Sequence, residues 1–410
     1  MKKIKPPQRH ARYKNRPDQR SAHLHLPYWR LSGFYFFYFA GLGAFLPYWS
    51  LYLKGEGYDA EQIGVLLALF AATRLITPNL WGWLADVSDR SMRLIRIASL
   101  FTALSFLLFE RISGYGWMMA ATVVAGLFWN APLPLFEAVT LAYLRDQAHR
   151  YSRIRLWGSI GFIVAVLAIG RALDTVLLIE CLPLLLFLLF VGMTAFSLTV
   201  PERSVRLRHG DGGSWWSLLC KPHIIAFCAV FMLTQAAHGP YYTFFSIYLK
   251  DHGFDGAQTG LLWSLGVVAE IVLFLVLHRV LARFSLRRIL LVSCLLGVLR
   301  WTLIGGWIDS LPVVLGAQLL HAATFGSTHV VAIQLIRKYF SGAHHGKGQS
   351  LYSSASYGLG GMIGSYYSGA LWDSLGPQVV FALAALASLL ATLIVWIWVE
   401  RPVDPVRRQR

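Results

Sequence analysis

The sequence predicts an all-α membrane protein of twelve transmembrane helices, arranged as two pseudo-symmetric halves of six. Three observations predict it. The 410-residue chain is 56% hydrophobic and only 14% charged, where a soluble domain carries about 25% charged residues. Apolar runs recur from Leu31 to the end, most of them near the ~20 residues that cross ~30 Å of hydrocarbon. The second half also repeats sequence of the first.

The spans read as 31–53, 62–84, 93–112, 115–144, 155–175, 176–200, 223–249, 258–282, 288–308, 311–337, 349–374 and 377–399. Residues 1–30 form a basic tail with nine Lys and Arg. Beside a membrane span such a tail reads as an orientation signal and a contact for anionic lipid rather than for nucleic acid. No short apolar segment with a small-residue cleavage site opens the chain, so no removable signal peptide is expected. Placing the tail in the cytoplasm puts 31 of the 37 basic residues on that side. Only Lys54, Arg111, Arg171 and Lys250 fall on the other. That asymmetry predicts both termini in the cytoplasm.

Span 4 carries Pro132 and Pro134, so a bend is expected there. The first six spans (31–200) and the last six (223–399) are joined by a charged linker, 201–222, and residues 400–410 form a second tail. The repeat supports this division. "SLYLKGEGYDAEQIGVL" at 50–66 aligns without gaps with "SIYLKDHGFDGAQTGLL" at 246–262, a shift of 196. At a shift of 199, Gly161, Gly170 and Asp174 match Gly360, Gly369 and Asp373. Parallel repeats of this kind are an organisation of secondary transporters, with the substrate site near the midplane between the halves.

A charge at mid-span costs roughly 2.5–3.5 kcal/mol, yet Arg74, Glu137, Glu270 and Arg300 lie within spans and Arg155 at the start of one. Such groups persist by pairing or by lining a watery cavity. Glu137 lies seven residues, about two turns, after Asn130, and Arg155 follows on span 5. Glu137 and Arg155 read either as a pair that holds a polar substrate or as a structural tie between spans 4 and 5. Arg74 and Glu270 occupy equivalent places in the repeat. Glu270 reads as a proton carrier or as half of a fixed salt bridge, with Arg300 on span 9 as its partner. His238, His321 and His329 lie in the apolar runs of spans 7 and 10. His321, one turn after Gln318, is a candidate for proton coupling because an imidazole titrates near neutral pH. His329 is placed with it and His238 with the substrate. Gln235, His238, Tyr242 and Ser246 fall on one polar face of span 7, broken at Gly239-Pro240. Gly360 and Gly364 on span 11 have the spacing of close helix packing.

Enzymatic chemistry finds no support. The four cysteines, Cys181, Cys220, Cys228 and Cys294, have no metal-site spacing and read as small core residues. His344-His345 lacks a following acid at catalytic spacing, and no segment resembles a phosphate loop.

After span 2, "GWLADVSDR" resembles the cytoplasmic loop motif of the major facilitator superfamily, with Gly82, Asp86 and Arg90 in place and Val87 and Asp89 as departures. "NAPLPLFEA", the 18-residue step from Glu137 to Arg155, and "RIRLWGSIGF" are similar to its lactose permease branch, the oligosaccharide:proton symporters. That resemblance implies that Glu137 and Arg155 hold substrate, and that Glu270, Arg300 and His321 serve proton coupling and binding. Thr324 stands where the branch has a carboxylate, Gln318 where it has a lysine, and Phe162 where it has a tryptophan platform. "RLWGS", "SLGVVAE", "LLHAATF" and "QAAHGPYY" look like the phenylpropionate permease family, across roughly 31–399. This implies the major facilitator fold and proton-driven uptake of an aromatic monocarboxylate such as 3-phenylpropionate.

The expectation is therefore a symporter of the inner (plasma) membrane that works by alternating access, as a monomer in the bilayer. It needs only a small-molecule substrate and protons, without cofactor, metal or nucleic acid. Substrate is expected among Asn130, Glu137, Arg155, Phe162, Arg74 and His238, and proton coupling at Glu270, Arg300, His321 and His329. A sugar or nucleoside symporter and a proton-linked exporter of drugs or metabolites are the alternatives.

Overall fold

The computed structural model of the chain describes residues 26–144, 147, 150–202, 219–340 and 342–400. Expectations for most of the tails and of the linker lie outside these residues. Twelve spans run through the described part. Spans 1 to 6 are Tyr28–Gly55, Ala60–Ser88, Ser91–Leu108, Tyr115–Leu144, Tyr151–Leu173 and Ile179–Thr199. Spans 7 to 10 are Pro222–Asp251, Gly256–Arg283, Leu286–Gly306 and Leu311–Tyr339, and span 12 is Pro377–Trp398. These eleven are long and apolar enough to cross a membrane. Span 11, at 345–375, is a continuous helical stretch diluted by Gly, Ser and Tyr. Span 3 stops at Leu108, four residues short of the sequence reading, because the chain turns at Phe109–Arg111, where Glu110 and Arg111 leave the apolar run.

The repeat at 50–66 and 246–262 builds the same turn twice. Gly57 and Gly253 take φ of +87° and +82°, a backbone that a side chain opposes. Asp59 and Asp255 then open spans 2 and 8 with reciprocal capping boxes to Gln62 and Gln258. Each box satisfies backbone donors that a helix start leaves orphaned.

The second set of repeated residues joins the halves. Span 2 packs along span 11, span 5 along span 8, and span 1 against the second part of span 7. A Cβ on Gly64 would stand 2.6 Å from Gly369 Cα, and one on Gly256 2.5 Å from Gly170 O. At the same end Asp174 accepts from Gly256 N (2.7 Å) and Ala257 N (2.8 Å). Asp373 accepts from Ala60 N (3.4 Å). The carboxylate at the end of one half's span thus sits on the helix N-terminus of the other half, where free N–H groups and the helix dipole favour an anion. Lys54 on Asp251 (2.9 Å) adds a third link. At the opposite end, Ser350 Oγ donates to Asn79 Oδ1 at 2.7 Å, again between spans 11 and 2.

Four spans are interrupted midway. Span 4 breaks at Asn130–Ala131, before Pro132, so the expected bend is present. Aromatic packing anchors the break, with Trp129 lying 4.9 Å from Phe45 and 4.8 Å from Phe190 between ring centroids. Span 7 breaks at His238, before Gly239-Pro240. Spans 10 and 11 contain π-helical turns at Ala322–Ser327 and Ser354–Gly360, a feature that frequently marks functional sites. Gly364 packs on Ala236 and Gly239 of span 7, and Gly360 on Met232, so the expected close helix packing is there. The cysteine expectation needs correcting. All four are free, but only Cys294 is buried, while Cys181 and Cys220 are exposed where they precede the apolar bodies of spans 6 and 7.

Asp174→Asn combined with Asp373→Asn removes the charge from three hydrogen bonds, a class worth about 1.5–3 kcal/mol each. The clasped end should then open more often, by about tenfold or more. Spin labels at positions 56 and 250, with the native cysteines replaced, should report a longer distance population that the unaltered clasp lacks.

Candidate functional site

The ionisable groups within the spans converge between the halves. On span 2, Arg74 Nε donates to Asn130 Oδ1 at 3.0 Å, and Asn130 Nδ2 donates to Thr73 Oγ1 at 2.8 Å. Asn130 sits at the break of span 4 and is itself buried. Its amide is thus spent on orienting Arg74 rather than left open for a ligand. The Arg74 guanidinium lies 5.9 Å from the ring centroid of Tyr357 on span 11, so it faces the other half. No carboxylate pairs with it among the described residues.

Seven residues on, Glu137 occupies a second subsite. It accepts from Tyr151 Oη at 3.1 Å and stands 3.8 Å from Arg155 Nε. Arg155 lies on the second turn of span 5 with its guanidinium 3.8 Å from the centre of Phe39 and 5.7 Å from that of Tyr35. The two side chains are 37% and 31% exposed. A pair this long and only partly buried leaves both groups available to a ligand. Tyr38 stands within electrostatic range of Arg74, Glu137 and Arg155 and links the two subsites.

In the C-terminal half, Glu270 Oε2 lies 3.9 Å from His321 Nε2. This corrects the expectation that Arg300 is the partner of Glu270. Arg300 is fully buried and donates to Ala317 O (3.0 Å), Thr324 Oγ1 (3.1 Å) and Gln318 Oε1 (3.2 Å). Its guanidinium is flanked by the rings of Tyr241 at 4.4 Å and Trp301 at 4.6 Å. The physical reason lies in two departures already noted. Thr324 and Gln318 replace a carboxylate and a lysine together, which leaves net charge unchanged and converts both positions into neutral acceptors for Arg300.

His238 donates from Nδ1 to Thr234 O at 2.7 Å and stacks on Tyr242 at 5.6 Å. His329 Nδ1 lies 3.1 Å from Tyr352 Oη and 3.2 Å from Tyr357 Oη. It faces two tyrosines, and no described acid contacts it. Ser246, placed on the polar face of span 7 with Gln235, His238 and Tyr242, accepts from Trp263 Nε1 at 2.9 Å. Phe162 is buried in the hydrophobic core, its backbone against Gly43. Of the loop motif, Gly82 lies within span 2 facing open space, Asp86 sits in its last turn, and Arg90 precedes span 3. Asp89 takes a left-handed φ of 52°, which Asp tolerates better than most residues.

The aromatic members of the site escaped the sequence reading. Tyr35, Tyr38, Tyr151, Phe325, Tyr352 and Tyr357 are six among 43 Tyr and Phe residues, and most such rings in a membrane chain face lipid or the interface. For Tyr151, the signal was its position one turn before Arg155.

The sequence profile of the MFS_1 like family matches residues 28–383. The probable 3-phenylpropionic acid transporter of Escherichia coli is 32% identical over 363 residues, 86% of this chain and 93% of the relative. The maltose permease of Geobacillus stearothermophilus is 24% identical, over 90% of this chain and 93% of its own length. The crystal structure of the nucleoside transporter NupG superposes on 92% of this chain and 99% of its own, with a TM-score of 0.77 at 16% identity, a likeness of fold. These relatives are transporters and not enzymes. The chain belongs to the MFS_1 like family, within the major facilitator superfamily of membrane transporters.

Proposed function

We propose that this transporter is a proton-coupled symporter that imports a small aromatic monocarboxylate, such as 3-phenylpropionate, across the inner (plasma) membrane. Both termini lie in the cytoplasm in this reading, and the chain works as a monomer without cofactor. The observation that carries the substrate class is Arg74. Its Nε is fixed by Asn130, its terminal nitrogens have no acidic partner among the described residues, and it faces Tyr357 of the other half. Within the spans, Arg155 has Glu137 nearby and Arg300 is sealed among neutral acceptors. Of these three arginines, Arg74 alone is neither beside an acid nor bonded through its terminal nitrogens among the described residues, and it is the one to pair with a bound carboxylate in the forked geometry that guanidinium favours.

Proton coupling rests on Glu270. Its nearest partner is the imidazole of His321, which is charged only when protonated, rather than a permanently charged guanidinium, so protonating the acid breaks no fixed salt bridge. Arg155 stands within electrostatic range across the interface, which lets the charge state of Glu270 reach the subsite of Glu137. With the tails inside, the end clasped by Asp174 and Asp373 faces outward. Rocking of the halves about the central site then exchanges the two openings.

The test is uptake into liposomes of purified protein under an inward proton gradient, with labelled 3-phenylpropionate and a galactoside side by side. Empty liposomes and a protonophore serve as controls. Gradient-dependent uptake of the acid alone is the expected result; uptake of the galactoside alone would overturn the substrate class. Arg74→Gln should weaken binding of the acid about 10- to 100-fold, as loss of one charge-assisted contact of about 1.5–3 kcal/mol requires. Glu270→Gln should abolish gradient-driven uptake yet retain exchange of labelled for unlabelled substrate; equal loss of both would make Glu270 structural.

A further inference from the structure

Span 7 breaks at His238, just before Gly239-Pro240, and the break frees carbonyls that a continuous helix would satisfy. Pro240 has no N–H to give Ala236 O, which instead accepts from Tyr367 Oη of span 11 at 3.3 Å. His238 N turns to Gln235 O at 3.1 Å, and Thr234 O accepts from the ring of His238 at 2.7 Å. Backbone groups at membrane depth need such partners because lipid offers none. Thr234 O can only accept, so the proton of the ring is at Nδ1. His238 is thereby committed to its own span.

That bond leaves Nε2 over. In the neutral ring Nε2 is an acceptor, and it is buried with no hydrogen-bond partner among the described residues. His238 as a whole is 3% exposed. The ring lines two small spaces, and Thr234, Thr324 and Thr328 line both with it. Each space has about 10 Å³ open to the centre of a water molecule, which is room for about one water and nothing larger. Thr328 Oγ1 spends its proton on Thr324 O at 2.8 Å, so it too meets a guest as an acceptor. Two acceptors on different spans thus face a space of that size, and a water has one proton for each. Thr328 directly follows the π turn of span 10, and Thr324 within that turn holds Arg300.

We propose that His238 holds a single ordered water through Nε2, and that this water bridges to Thr328 and pins the break of span 7 to the π turn of span 10. Water, rather than substrate, is then the ligand of His238. Such a bridge breaks and re-forms by exchange, so it sets the resting bend of span 7 without fixing it permanently. The inference does not depend on which substrate is carried.

The test is X-ray radiolysis of the purified full chain, with oxidised residues located by mass spectrometry. Radicals formed from a held water label the side chains around it, including those that bulk water does not reach. Phe231 and Tyr352, 1% and 6% exposed, report on the first space, and Trp301, 0% exposed, reports on the second. At least one of these reporters should be labelled in the unaltered protein. Thr328→Val, close in shape, should lower that labelling about fivefold or more, as loss of one hydrogen bond to the water implies. His238→Phe should do the same, and Thr328→Val keeps the test valid if the ring change disturbs folding. Tyr367→Phe also loosens the break but leaves both acceptors in place, so labelling should stay within about twofold, as for sites that share no partner. No labelled reporter in the unaltered protein, or labelling that survives Thr328→Val or a folded His238→Phe, overturns the water site. An equal loss in Tyr367→Phe makes the labelling a property of the break as a whole and overturns it as well.

Discussion

Hydrocarbon does not solvate charge, and the site is organised by that single fact. Arg74, Glu137, Arg155, Glu270 and Arg300 all lie on helices that would otherwise pass for lipid-soluble rods. Each is accommodated in a different way. Arg300 is wrapped in neutral acceptors and aromatic faces that occupy its donors. Arg155 and Glu137 share a long, partly exposed contact, and Glu270 leans on an imidazole. Arg74 keeps one hydrogen bond and an open fork. The fold provides for this by turning these groups toward the seam between the halves, where water and ligand replace lipid. Hydrophobic packing fills the rest of each half without any comparable constraint, because lipid and leucine solvate a helix equally well.

Much of the architecture was legible because repetition wrote it twice. Asp59 and Gln62 recur as Asp255 and Gln258 and fold as the same capping box. Gly369 and Asp373, matched to Gly170 and Asp174, proved to be the residues that touch the opposite half. The charged residues were found for the same reason that makes them costly: each stands alone in an apolar run. Their partners were another matter. Arg300 looked like the natural mate of Glu270, but pairing is decided by where two side chains end in space, and Thr324 and Gln318 reach the guanidinium first. The tyrosines of the site were illegible because an aromatic ring in a membrane helix carries the same letter whether it meets lipid, core or ligand. Phe162 misled through analogy with a tryptophan platform; its ring is packed in the core.

The two halves share a plan and differ in chemistry. Positions 74 and 270 correspond in the repeat, yet one is a cation held by an asparagine and the other an acid beside a histidine. Both halves break one span near the site, at Asn130 in span 4 and at His238 in span 7, but among the described residues the π turns fall in the C-terminal half alone. The pseudo-symmetric frame gives the rocking motion its axis, and the departures from symmetry give it a direction by placing unlike groups on the two sides of one ligand.

The clasp of Asp174 on span 8 and Asp373 on span 2 is an exchange, in which each half lends a carboxylate to the helix start of its counterpart. Neither half is therefore a finished object. Separated, each would present a helix entrance with unclaimed donors and an aspartate with nothing to hold, along faces whose glycines are shaped only for the other half. The two halves thus form a self-complementary pair, in which each needs the other's acid to close its own helix start.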